Sequence, residues 1–260
     1  DGQAVTTDDF VKAIEDANSV DLSQFKRWYE QAGTPELSVK THYDPVQQRF
    51  SLTLHQSCPA TPGQENKLNF HIPVAVGLLD SDGNNMPMQL AEETTPYDGD
   101  TRVLSLTETE QTFEFIHVSE EPVASVLRGF SAPVKLKYDL TNKQLAFLMG
   151  HDPDSFNRWD AGQQLMINVL LEIVDDIQKQ NTLALSPLLL SQLEAVLNDE
   201  QLDPALVAKM LTLPTENYLA AQMPVADVDG IHQAREFAKR QIAISLKPLF
   251  NARYESLSKK

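Results

Sequence analysis

The chain has one cysteine, Cys58, so no internal disulfide can form and a reducing compartment is expected. Cys58 stands in Ser57-Cys58-Pro59 and reads as an inert strand-end residue, not a nucleophile. No stretch approaches the roughly 18 apolar residues that span a bilayer; the richest, Leu183 to Leu190, is far shorter, and no membrane partner is expected. Cations are scarce: 21 Lys and Arg stand against 37 Asp and Glu, for a net charge of -16. Phosphate binding needs clustered Lys and Arg, so nucleic acid is excluded as a partner. Residues 1–35 carry 7 acids and 3 bases, residues 36–138 carry 14 and 7, and residues 139–260 carry 16 and 11. So even a spread reads as a solvated acidic surface rather than a field that steers cationic substrates. The glycines are scattered, with no phosphate-cradling loop; Gly63, Gly77, Gly83, Gly99 and Gly129 read as turn or bulge residues.

What is present divides the chain into three. A length of 260 residues favours two domains and a remnant. Residues 1–35 read as two short helices. Thr7 before Asp8-Asp9 is the expected first N-cap, with Phe10, Ile14 and Ala17 at helical spacing. The second opens at Asp21 or Ser23, carries the stripe Leu22, Phe25, Trp28 and Tyr29, and stops before Gly33 and Pro35. Such a stripe must pack on something, and an absent upstream domain is one candidate. From Glu36 the period becomes 2. Phe50–Leu54 alternates cleanly, and strands are expected at Phe70–Leu79, Arg102–Leu106, Gln111–Phe115 and Val134–Tyr138. Short strands, polar turns and no helix between them predict an antiparallel β-sandwich over 36–138. Beyond Asp139 the pattern is helical. One long helix is expected over Phe156–Lys179 with Leu165, Val169, Ile173 and Ile177 on one face; others start at Ser186-Pro187 and Asp203-Pro204, and a last one runs from Val228 to Leu257. Helix pairs joined by Pro- or Asp-marked turns resemble the start of a helical-repeat layer over 139–260.

Catalytic signatures are missing. None of His42, His55, His71, His117, His151 or His232 carries the Glu-x-x-His spacing that puts two imidazoles on one helical face. Four of them, His42, His55, His71 and His117, fall in the strand region; single exposed or strand-end positions are the expected outcome, since no paired ligand accompanies them. There is no Gly-x-Ser-x-Gly elbow. The adjacent Asp175-Asp176 point in different directions on a helix. Asp80, Asp82 and Asn84 alternate as calcium ligands do, but the closing bidentate acid is absent and a hairpin turn is preferred. Met86 and Met88 read as strand filler, and Trp28 and Trp159 as packing residues. Residue by residue, no catalytic, cofactor-binding or metal-ligating position can be assigned.

The order of several strings nonetheless resembles a known family. Asp1-Gly2-Gln3-Ala4-Val5-Thr6, with Phe10-Val11 and Glu15-Asp16-Ala17, looks like the end of the thermolysin-like domain of the M1 zinc aminopeptidases. Trp28-Tyr29-Glu30-Gln31-Ala32-Gly33-Thr34-Pro35 resembles the family's Trp-x-x-x-x-Gly-x-Pro helix end. Phe130-Ser131-Ala132-Pro133-Val134-Lys135-Leu136 resembles the end of its β-domain. Phe156-Asn157-Arg158-Trp159-Asp160-Ala161, then Asp203-Pro204-Ala205-Leu206 and Leu211-Thr212-Leu213-Pro214, resemble its C-terminal helical domain.

The resemblance spans the chain and is nearest the bacterial alanyl-aminopeptidase branch. It implies a multidomain α+β chain: catalytic-domain helices (1–35), an Ig-like β-sandwich (36–138) and the first part of an all-α superhelical domain (139–260). It implies a cytoplasmic bacterial parent that removes N-terminal residues from peptides with a zinc ion. The zinc and the residues that grip substrate belong to motifs not found here. No zinc is therefore expected on this piece, which is expected to be inactive alone, with the catalytic domain as packing partner of 1–35. A peptide- or protein-binding scaffold module and a self-sufficient hydrolase of novel arrangement are the competing readings.

Overall fold

The computed structural model describes residues 4–258, which form two compact units. The first holds the chain up to Ser81 together with Asn85–Asp139; the second holds the chain from Leu140 together with Asp82–Asn84.

The first unit opens with α1 (Thr7–Asn18). Its N-cap is Thr6, one residue before the position expected from sequence. The Thr6 hydroxyl accepts from the Asp9 amide while the Asp9 carboxylate accepts from the Thr6 amide. This reciprocal box satisfies two orphan donors where a Thr7 cap would satisfy one. The second helix, α2, is only Arg27–Glu30; the Asp21 carboxylate accepts from Ser23 N and holds the preceding segment as a turn.

Seven strands follow: β1 (Glu36–Asp44), β2 (Arg49–Ser57), β3 (Ile72–Leu79), β4 (Arg102–Leu106), β5 (Glu110–Phe115), β6 (Val123–Val126) and β7 (Lys135–Tyr138). They build a four-stranded sheet, β5-β2-β1-β7, and a three-stranded sheet, β4-β3-β6. All pairs are antiparallel except β1–β7, where Leu37 lies beside Leu136 in parallel register. The inner faces share one core. Leu37, Leu52, Leu54 and Phe115 come from the larger sheet; Ile72, Val74, Val76, Leu78 and Leu106 come from the smaller. Alternation along β2 buries Phe50, Leu52, Leu54 and Gln56 while their neighbours face outward.

Gln56 is the polar member of that inward row, buried to 3% exposure. Its Nε2 donates to the carbonyls of Phe70 and Glu108 at 2.9 Å, and its Oε1 accepts from Phe70 N at 2.7 Å. Because this amide takes both main-chain groups of Phe70, β3 begins at Ile72 and not at Phe70. A second buried polar group, Arg128, sits in a left-handed turn after β6, with Leu127, Gly129 and Phe130 at positive φ. Its guanidinium donates to Ser125 Oγ, Asn85 Oδ1 and the Asp100 carbonyl. It lies against β3 at Gly77, where an added Cβ would stand 2.1 Å from the guanidinium carbon.

The second unit contains α3 (Asn142–His151), α4 (Ser155–Gln178), α5 (Pro187–Asn198), α6 (Pro204–Met210), α7 (Glu216–Ala220) and α8 (Val228–Ser258). Helix α4 is the axis, packed against α3, α6 and α8. Its stripe Leu165, Val169 and Ile173 is buried, and Ile177 half-buried. Ser186 and Asp203 cap α5 and α6, each followed by a proline at the first helical position, as their sequences predict. Helix α3 lies where no helix is expected from the periodicity, although Thr141 and Gln144 form a capping box at its start. Helix α8 runs through Pro248, which has no N–H to offer the Ile244 carbonyl one turn earlier.

Two substitutions test this packing. Gln56→Leu removes the side-chain partner of Phe70 N–H and of the Glu108 carbonyl and leaves the Phe70 carbonyl only Gln24 Nε2 at 3.3 Å, and chemical denaturation should show a loss of about 1–3 kcal/mol. Gly77→Ala places a methyl inside the Arg128 guanidinium and should cost at least as much; a thermal midpoint within a degree of the parent would contradict the close approach.

Candidate functional site

The histidines of the sandwich do not gather. His42 pairs with Ser51 towards one end of the β1–β2 ladder, and His55 with Ser38 towards the other. His117 is exposed in a left-handed turn, and the His71 carbonyl receives the indole N–H of Trp28 at 2.9 Å. In the helical unit, His151 stacks on Phe147 and His232 Nδ1 lies 2.9 Å from Glu216 Oε1. Among the described residues no three of His, Cys, Asp and Glu converge as a metal-holding group. These side chains therefore do not fit the zinc centre that the family resemblance implies, and no chemical step runs through one here. The segment Asp80–Asn84 is a hairpin turn with Gly83 at φ +88°, closed by the bridge from Leu79 to Asn85. Met86 and Met88 are buried in the sandwich core. Among the described residues, no helix is long and apolar enough to cross a membrane.

The apolar stripe of the first thirty residues divides in two. Trp28 packs on Phe70 with ring centroids 4.6 Å apart. Around it the side chains of Gln24, Arg27 and Gln31 bond the main chain of Leu68, Asn69 and Phe70. The expectation that this whole stripe awaits an outside partner is corrected for Trp28, because polar main chain just before β3 needs partners and residues 24–31, α2 with its flanking glutamines, supply them. By contrast Phe10 (60% exposed), Ile14, Val20 and Tyr29 remain open on the first unit.

One cavity stands out in the second unit. Residues Trp159, Asp160, Gln163 and Ile167, from one face of α4, meet Lys209 of α6, the turn 212–215 and Tyr218 of α7 around about 290 Å³. Gln163 Nε2 holds the Thr212 carbonyl at 3.0 Å, and Arg235 Nε of α8 holds the Pro214 carbonyl at 2.7 Å, which fixes the turn as a wall. Desolvation pushes the Asp160 carboxyl above its ordinary 3.8. The residue as a whole is exposed, but the proton responds to the crowding of the carboxyl itself. Sequence reasoning read Trp159 as packing and gave Asp160 and Lys209 no role. Only the spacing 159, 163, 167 hints at a shared face.

Known proteins resolve what these residues belong to. Residues 33–139 match the family model described as a domain of unknown function (DUF3458) with an Ig-like fold, and residues 142–260 match its companion, described as ARM repeats. Aminopeptidase N of Escherichia coli (strain K12) is 42% identical over 260 residues, 98% of this chain and 29% of that protein. Aminopeptidase N of Haemophilus influenzae is 42% identical over 96% of this chain and 28% of its own length. The chain is homologous to part of aminopeptidase N. Caulobacter vibrioides aminopeptidase N shares 36% identity over 96% of the chain. The crystal structure of Legionella pneumophila aminopeptidase A in complex with aspartic acid superposes with a TM-score of 0.79 at 28% identity, covering 97% of this chain and 27% of that one. The chain thus spans between 27% and 29% of the length of the aminopeptidases it matches. An Ig-like domain followed by a helical ARM-repeat domain is the architecture of the match.

Asp160 also provides a stability test. A carboxyl with its folded pKa raised adds no penalty below 3.8, where folded and unfolded chains are both protonated. The penalty grows as pH rises through the raised folded value and is full above it. Asp160→Asn should therefore be more stable than the parent at neutral pH, with the gain vanishing near pH 3.8. A gain independent of pH in urea titrations would contradict the assignment.

Proposed function

We propose that this chain is the β-spacer and first part of the helical cap of an M1-family zinc aminopeptidase that removes N-terminal residues from peptides. The carrying observation is identity of 42% along nearly the whole chain to a protein for which it accounts for only 29% of the length. In this reading the zinc, its ligands and the general base come from sequence outside these residues, and the present ones supply support. A bacterial cytoplasm suits a chain whose one thiol, Cys58, has no partner cysteine.

Residues 1–35 are read as the last helices of the catalytic lobe, and the exposed Phe10, Ile14, Val20 and Tyr29 as the surface that lobe covers. The docking of α2 on the sandwich is the feature that a free-standing scaffold module would also require. The apolar side chains left open on α1 and α2 favour the enzyme reading.

The purified chain is expected to release no p-nitroaniline from L-alanine p-nitroanilide with or without added zinc, and to retain no stoichiometric zinc after desalting. Zinc-dependent turnover by the chain itself would overturn the proposal. A companion pair of variants separates inner from outer packing. Trp28→Ala should cost about 2–4 kcal/mol, and Phe10→Asp, on the chain alone, less than about 0.5 kcal/mol. A large loss from Phe10→Asp would show the face already covered by this chain and favour the scaffold reading.

A further inference from the structure

The cavity on α4 has a composition that the proposed role as spacer and cap does not use. Its lining is mainly apolar, with Trp159, Ile167, Leu213 and Tyr218 around one carboxylate, Asp160, and one ammonium, Lys209. Neither charge forms an ion pair or a side-chain hydrogen bond among the described residues. Both residues line the cavity while staying exposed, so solvent screens their charges, little is gained by pairing them with each other, and each is left to meet a ligand. Here they stay apart while the carboxyl is crowded enough for its proton affinity to rise. A molecule carrying both opposite charges at one end of a hydrocarbon body would satisfy both and fill the apolar space. The volume, about 290 Å³, lies at the small end of ligand pockets, which run from roughly 300 to 1,000 Å³. That limits the guest to amino-acid size. The aromatic walls favour a flat or bulky side chain.

We propose that the cavity between α4, α6 and α7 is a binding site for a free apolar α-amino acid, its ammonium on Asp160, its carboxylate on Lys209 and its side chain against Trp159. Gln163 and Arg235 act as positioning residues, holding the turn 212–215 that closes the wall. The site lies wholly in the helical unit and does not rest on the aminopeptidase reading: it stands or falls whether or not the chain belongs to an enzyme.

The test titrates the 260-residue chain with L-phenylalanine and follows its two indole N–H resonances by NMR, with calorimetry for affinity. The Trp159 signal should shift saturably, while that of Trp28, bonded to the His71 carbonyl, should not move. Phenethylamine, which lacks the carboxylate, and 3-phenylpropionate, which lacks the ammonium, should each bind about tenfold to a hundredfold more weakly, the value of one charge-assisted hydrogen bond. Asp160→Asn should weaken L-phenylalanine by a similar factor and leave 3-phenylpropionate unchanged; Lys209→Met should also weaken L-phenylalanine but leave phenethylamine unchanged. Unchanged far-ultraviolet circular dichroism shows that each variant is folded. No saturable shift of Trp159 at tens of millimolar ligand would overturn the proposal. So would phenethylamine binding as tightly as L-phenylalanine, or affinity unaltered by Asp160→Asn.

Discussion

The main chain from Leu68 to His71 runs towards β3 without a strand beside it, and its polar groups must be satisfied by side chains. Gln31 closes a two-way pair with Leu68, Gln56 does the same with Phe70, Gln24 and Arg27 reach the Asn69 carbonyl, and Trp28 reaches that of His71. Buried peptide groups left unpaired cost more than most single contacts return. This stretch therefore fixes three things together: where β3 begins, how α2 seats on the sandwich, and why a glutamine occupies the inward row of β2. The aromatic contact of Trp28 with Phe70 is laid over that lattice.

The same lattice shows why the first thirty residues misled a reading by periodicity. The spacing of Leu22, Phe25, Trp28 and Tyr29 is that of one amphipathic helix, yet only Arg27–Glu30 is helical, because Asp21 caps a turn and the bonds that follow, Arg27 N to Gln24 O and Trp28 N to Phe25 O, close tighter three-residue turns. Periodicity records which residues are apolar but not which main-chain groups elsewhere need donors. Where packing alone decides, the sequence was legible. The alternation of β2, the every-fourth stripe of α4 and the Ser-Pro and Asp-Pro helix starts all appear where their residues place them. β6 was not legible: Ala124, Ser125 and Val126 are all buried, so a four-residue strand shows no alternation. The parallel β1–β7 pair was not legible either, since strand direction depends on the path between strands and not on the residues within them.

The family could be read from the order of strings such as Phe156-Asn157-Arg158-Trp159-Asp160-Ala161, and the aminopeptidase N relatives bear it out. The cavity on α4 could not, because it depends on Lys209 and Tyr218 arriving from two other helices. Asp160 looks like an ordinary surface acid until its crowding is known. Chemistry-bearing residues held by tertiary placement leave no local spacing to find, in contrast to metal motifs on a single helix.

Taken together, the Ig-like sandwich and the ARM-repeat helices match part of aminopeptidase N, and in the proposed reading the open face of α1 and α2 is where the rest of such a protein would pack. The most direct measurement is the coding sequence upstream of the codon for Asp1. The account predicts an open reading frame that continues upstream and encodes a His-Glu-x-x-His motif followed by a further acidic ligand. A stop codon or an initiation site immediately before Asp1 would contradict it.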